Sequence, residues 1–158
     1  IVDLMDEVVE ILASEEDRAL SLERDPVSGI VGALLAQEPV PRDEQQCLDE
    51  LEARLEKQRY LLGPNITEAD WRLFTTLVRF DAVYVGHFKC NLKRIADYPA
   101  LSNYLRDLYQ QPGIAATVNI SYIKEHYYGS HDSINPTRII PKGPKLDLDS
   151  PHNREHLS

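Results

Sequence analysis

The stretch Ile66-Thr67-Glu68-Ala69-Asp70-Trp71 constrains this chain more than any other. Thr67 supplies a hydroxyl at an N-cap and Asp70 an acid three residues on. Ile66 stands where it can pack against Trp71, so a capping box and a hydrophobic staple coincide and a helix begins here. Trp71, Phe74, Leu77, Val78 and Val85 predict its inward face, with Asp81 on the same stripe. A carboxylate on a buried stripe needs donors, which marks Asp81 as a buried hydrogen-bond anchor.

Around this helix the apolar spacing predicts others and no strand. Ile1, Leu4, Met5, Val8, Val9, Ile11 and Leu12 recur as one helical face, and residues 24–41, with Pro26, Gly29, Gly32, Pro39 and Pro41 around an apolar patch at 30–35, read as a loop with one short helix. Pro41 suits the first turn of a helix striped by Cys47, Leu48, Leu51, Leu55 and Leu62 and stopped at Gly63-Pro64. On that helix Glu56 and Arg59 are spaced for a modest ion pair. Two more helices are expected, from Pro99 to Gln111 and from Ile114 to His126, the latter facing inward on Val118, Tyr122 and Ile123. From Gly129 onward Pro136, Pro141, Pro144 and Pro151 forbid a continuous helix and predict a tail draped over the bundle. The expectation is an all-α bundle with a long irregular C-terminal tail: residues 1–40 a divergent N-terminal helix and loop, 41–128 the helical core, 129–158 the extended Pro-rich tail packed on it.

At 158 residues the chain is long enough for one core, and no run of about 18 apolar residues is available to span a bilayer. Its 17 basic and 26 acidic side chains give a net charge of −9, which argues against nucleic acid as a partner. The excess is uneven, net −12 over residues 1–70 and net +3 over 71–158. Two cysteines, Cys47 and Cys90, make no disulfide framework, and with no secretory signal pattern the expectation is a reducing, cytoplasmic setting. Ile1 in place of methionine predicts a processed, truncated or trimmed chain.

Few residues advertise chemistry. His126 and His131 are five apart, not the i, i+4 pair of a helical zinc site, so no metal is expected and His87 reads as structural. Cys90 has Lys89 beside it but no Cys-x-x-Cys partner, and reads as a packing residue. Phosphate loops, a Gly-x-Ser-x-Gly elbow and a His-Glu-x-x-His helix do not occur. Tyrosine is the informative enrichment, eight against three phenylalanines. A phenol stacks on an aromatic ligand and donates to an oxygen gaining negative charge, so Tyr84, Tyr122, Tyr127 and Tyr128 suit either a quinone pocket or helix interfaces.

Leu62-Gly63-Pro64-Asn65-Ile66-Thr67-Glu68-Ala69-Asp70-Trp71 resembles the helical C-terminal domain of glutathione transferases, with Thr67 and Asp70 as the capping pair. Three further strings narrow the resemblance to the Xi class, the glutathionyl-hydroquinone reductases: residues 79–91, His126-Tyr127-Tyr128-Gly129-Ser130-His131 and Ser133-Ile134-Asn135-Pro136-Thr137. Ile140-Pro141-Lys142-Gly143-Pro144 and Pro151-His152 also fit, so the likeness runs from about Glu44 to the end.

That resemblance implies a reductase in which a thioredoxin-like domain binds glutathione as co-substrate and carries the catalytic cysteine, while the helical domain holds the quinone or hydroquinone ring. No Cys-Pro-x-x motif occurs in this chain, so no catalytic residue is expected within it, and residues 1–40 do not match the Asn-Asn-Gly-Val-Tyr-type segment that opens the family's helical domain. Tyr127 is implied as the phenol that meets the quinone oxygen, with Tyr84 and Tyr128 as further substrate-binding residues. A homodimer through the helical domain is implied as well. The alternatives are a stand-alone, non-catalytic interaction module that kept the fold, and a small-molecule enzyme independent of glutathione.

Overall fold

The computed structural model describes residues 44–158, so the expectations for residues 1–43, including the opening helix and the start at Pro41, lie outside the described residues. Helices account for the regular structure and no strand occurs among these residues. In chain order they are α1 (Glu44–Leu55), α2 (Glu68–Arg79), a π turn (Phe80–Tyr84), the short α3 (Val85–His87), a 3-10 turn (Ile95–Asp97), α4 (Pro99–Tyr109), a second 3-10 turn (Ala115–Thr117) and α5 (Ile120–Ser130). No described helix is long and apolar enough to cross a membrane.

The capping box closes through its acid. Asp70 Oδ2 accepts the Thr67 N–H and the Thr67 hydroxyl, both at 2.8 Å. Its other oxygen takes the Leu61 N–H at 2.9 Å and the Tyr104 hydroxyl at 2.8 Å, so the residue that starts α2 also ties it to α4. Leu73, Phe74, Leu77 and Val78 face the core, whereas Trp71 is half-buried beside Phe74.

Past Arg79 the expected single stripe fails. Phe80, Asp81, Ala82, Val83 and Tyr84 are all buried, and Val85 is only half-buried. The wider π turn accounts for this: its i→i+5 bonding inserts one residue, so every following side chain is displaced round the axis. Asp81 is the anchor its position foretold. It accepts the Ile95 N–H at 2.7 Å and the Ala96 N–H at 3.0 Å, capping the first 3-10 turn, and burial raises its carboxyl above the ordinary carboxylate value.

Three local expectations are corrected. The first helix stops at Leu55, not Leu62, and the chain turns back through a bridge between Tyr60 and Gly63, whose φ of 112° suits glycine. Arg59 does not pair with Glu56; it forms a forked ion pair with the buried Asp107 of α4 at 2.9 and 3.1 Å. A buried carboxylate binds a guanidinium more strongly than a solvated one does. The helix foreseen from Ile114 is divided, because extended backbone at Val118 and Asn119 separates the 3-10 turn from α5 and Asn119 accepts the Tyr122 N–H as a new N-cap. Tyr122 consequently points outward, 68% exposed.

Polar side chains join the elements. Glu52 of α1 accepts the Ala100 and Leu101 N–H groups at 2.9 and 2.7 Å, capping α4 from outside. No helix occurs from Asp132 to Ser158. Buried Lys124 donates to the carbonyls of Pro141, Lys142 and Gly143, and Arg154 enters the core to donate to those of Leu55, Gln58, Arg59 and Ala100. Those last carbonyls include orphans of the α1 C-terminus, which a helix end must satisfy somehow.

Candidate functional site

The π turn, α3 and the end of α5 build one aromatic cluster. Tyr84 leaves the π turn, His87 closes α3, Phe88 follows it, and Tyr127 and Tyr128 come from the last turns of α5. The Tyr84 and Tyr127 rings meet edge to face, 6.0 Å apart at 70°. Burial first, and then the neighbouring Tyr127, hold the Tyr84 phenol well above its usual range. Phe88 lies 5.5 Å from Tyr84 and 6.0 Å from Tyr127, closing the triangle.

Tyr128 lies on the other side of His87, with ring centroids 4.8 Å apart, and its hydroxyl reaches toward the Val83 carbonyl at 3.4 Å. Burial raises its pKa. Gly86 permits this placement: a Cβ there would stand 2.6 Å from the Tyr128 hydroxyl oxygen. The three tyrosines named from sequence therefore do gather. They differ in access, however, since Tyr84 and Tyr128 are buried and Tyr127 is half-buried.

Two histidines join the cluster that sequence reasoning left out. His87 Nε2 stands 3.0 Å from His131 Nδ1, and His87 is wedged between Phe88 and Tyr128, each 4.8 Å away. Burial first, then His131 and Lys89, hold the His87 pKa below the ordinary value of 6.5. His131 sits just past α5 with the Tyr127 ring 5.5 Å away, while Asn135 donates to the Tyr128 and Ile139 carbonyls at 2.9 and 3.1 Å and folds the following loop back. The available signal was spacing: His87 falls three residues after Tyr84 and His131 four after Tyr127, which places them on neighbouring faces.

Thr67 and Asp70 lie in the core-facing cap, away from this cluster in the fold's polar scaffold. No group of three or more His, Cys, Asp or Glu able to hold a metal occurs among the described residues. Cys47 and Cys90 are half-buried and not joined in a disulfide. The cluster's chemistry is thus that of phenols, imidazoles and aromatic faces, suited to binding and polarising an oxygenated ring.

Residues 45–107 match the family model described as the glutathione S-transferase C-terminal domain. Over 110 residues, 70% of this chain and 34% of the relative, the chain is 58% identical to the glutathionyl-hydroquinone reductase YqjG of Escherichia coli. It is 58% identical over 101 residues to the glutathionyl-hydroquinone reductase PcpF of Sphingobium chlorophenolicum, covering 64% of this chain and 32% of that one. Among solved structures, the glutathione-bound YqjG superposes with a TM-score of 0.70 at 57% identity, over 71% of this chain and 36% of that one. The Xi-class enzyme of Natrialba magadii gives 0.71 at 47% identity, over 82% and 42%. The chain spans about a third of the length of the curated relatives it matches. Through this C-terminal helical domain the chain belongs to the Xi class of the glutathione S-transferases.

Proposed function

We propose that this chain supplies the acceptor-substrate side of a glutathionyl-hydroquinone reductase, with Tyr127 as the residue that meets the ring oxygen. The observation that carries the reading is the Tyr84–Tyr127 pair. Tyr84 is buried edge to face against Tyr127, which fixes that ring, and Tyr127, half-buried, is the phenol of the pair that is partly open to solvent. Tyr84 and Tyr128 act by fixing Tyr127 and His87, not by touching the ligand.

In the proposed reaction, a cysteine thiolate of a thioredoxin-like domain attacks the sulfur of a glutathionyl-hydroquinone. The carbon–sulfur bond breaks, the ring carbon takes a proton, and hydroquinone leaves. A second glutathione thiolate then frees the cysteine, giving glutathione disulfide. A phenol donating to the ring oxygen stabilises the charge that develops as the carbon–sulfur bond breaks. A reducing, cytoplasmic setting suits that thiol chemistry, and the helical domain is the surface proposed for a homodimer.

The test is a chimera in which residues 44–158 replace the matching segment of the E. coli relative. With a glutathionyl-hydroquinone substrate, Tyr127→Phe is expected to lower kcat/KM by about 10- to 100-fold, with the melting temperature nearly unchanged. Exposed Tyr122→Phe is the matched control. Equal turnover in the Tyr127 variant would remove that role. A folded but inactive chimera would leave the chain as an interaction module that kept the fold.

A further inference from the structure

His87 is 2% exposed, and one of its ring nitrogens, Nδ1, has no hydrogen-bond partner. Buried N–H groups are seldom left without an acceptor, whereas a bare nitrogen among aromatic faces forgoes less. The proton of neutral His87 therefore sits on Nε2 and is donated to His131 Nδ1, an assignment that follows from the bonding pattern. His87 cannot turn over to change it, since Phe88 and Tyr128 pack on it. Its lowered pKa agrees with a neutral ring.

This determines the tautomer of the second histidine. With Nδ1 accepting, neutral His131 carries its proton on Nε2, the ring edge away from His87. His131 is half-buried, and so is Tyr127 beside it, their rings 5.5 Å apart and almost perpendicular at 87°. Two neighbouring half-buried rings, one carrying a hydroxyl and one an imidazole N–H, thus lie at the accessible margin of a cluster whose Tyr84, His87 and Tyr128 are buried.

We propose that His131 Nε2–H is a second hydrogen-bond donor of the acceptor site, and that His87 is the positioning residue that holds its tautomer. The inference rests on the quinone reading above and deepens it. Two donors match a ring carrying two oxygens, so the site distinguishes hydroquinones and quinones from monophenols. A site that has a donor for an oxygen loses that interaction with an analogue lacking it.

The experiment titrates the 158-residue chain, anaerobically, with hydroquinone and with phenol, while 15N spectra follow the histidine ring nitrogens. In the unliganded chain His131 should show a protonated Nε2 and a bare Nδ1. Hydroquinone should bind about tenfold more tightly than phenol, one hydrogen bond's worth. His131→Phe and His87→Phe should abolish that ratio, and His131→Gln, which restores an N–H near the Nε2 position, should recover most of it. The opposite tautomer, or an unchanged ratio in His131→Phe with hydroquinone still bound, would overturn this inference and leave the quinone reading standing. Failure of wild-type chain to bind either compound would overturn both.

Discussion

The Tyr104 hydroxyl donates to Asp70 Oδ1 at 2.8 Å inside the core, across 34 residues of sequence. Asp70 is fully buried and gathers four donors from the Leu61 loop, the α2 cap and α4. Removing it strands all four. Asp70→Ala should cost about 3–5 kcal/mol, and Tyr104→Phe about 1–2 kcal/mol, as read from urea unfolding midpoints. Near-equal costs for the two would show that the other three donors contribute little.

Gly86 and Tyr128 form a steric couple. Alanine at 86 would place its Cβ 2.6 Å from the Tyr128 hydroxyl oxygen, though 3.9 Å from the ring carbon that bears it. In the wild-type chain Gly86→Ala should destabilise by about 1–3 kcal/mol. In a Tyr128→Phe background the clash is gone and the same change should stabilise by about 0.5–1 kcal/mol, through reduced backbone entropy of the unfolded chain. The double-mutant cycle reads this reversal of sign in thermal melts.

Arg154 makes a long-range anchor. Its guanidinium reaches the carbonyls of Leu55, Gln58 and Arg59 at 3.0, 2.7 and 2.7 Å, and it lies over the Tyr104 ring. Arg154→Ala should lower stability by about 2–4 kcal/mol, since the Leu55 carbonyl at the helix end and those of Gln58 and Arg59 beyond it lose a donor that is itself buried. It should also expose the segment around Leu148 to limited proteolysis. Cleavage as slow as in wild type would show that Arg106 and Gln110, which hold Asp147, Leu148 and Ser150, suffice.

Acid should weaken the fold through His87. Its folded pKa lies below the ordinary 6.5, so the unfolded chain binds the proton more readily and stability is lost as pH falls below that value. The melting temperature should drop between pH 7 and pH 5 and level off once the folded-state value is passed. His87→Phe should flatten that dependence. An identical pH profile in the variant would assign the acid sensitivity to other groups.

What sequence made legible was whatever depended on near neighbours. The α2 start followed from Ile66, Thr67, Asp70 and Trp71, and Asp81 announced a buried anchor because a lone acid on an apolar stripe has few alternatives. The domain family followed from contiguous strings. The π turn was hidden because Phe80, Ala82, Val83 and Tyr84 are apolar on every side, so no periodicity marks the extra residue. Arg154 and Lys124 were hidden for a different reason: their partners are backbone carbonyls, which carry no side-chain signature. His87 and His131 lie 44 residues apart and meet only after α5 has packed on the π turn.

The extra residue of that π turn offsets α3 from α2 by roughly 100°. Leu73 and Leu77 can therefore stay committed to the interior while Tyr84, His87 and Phe88 answer to a different neighbour, α5. The Leu73–Leu77 face and the aromatic cluster are in this way written on two separate registers of one continuous rod. Losing a single residue between 80 and 84 would force both sets onto one register and spoil them together.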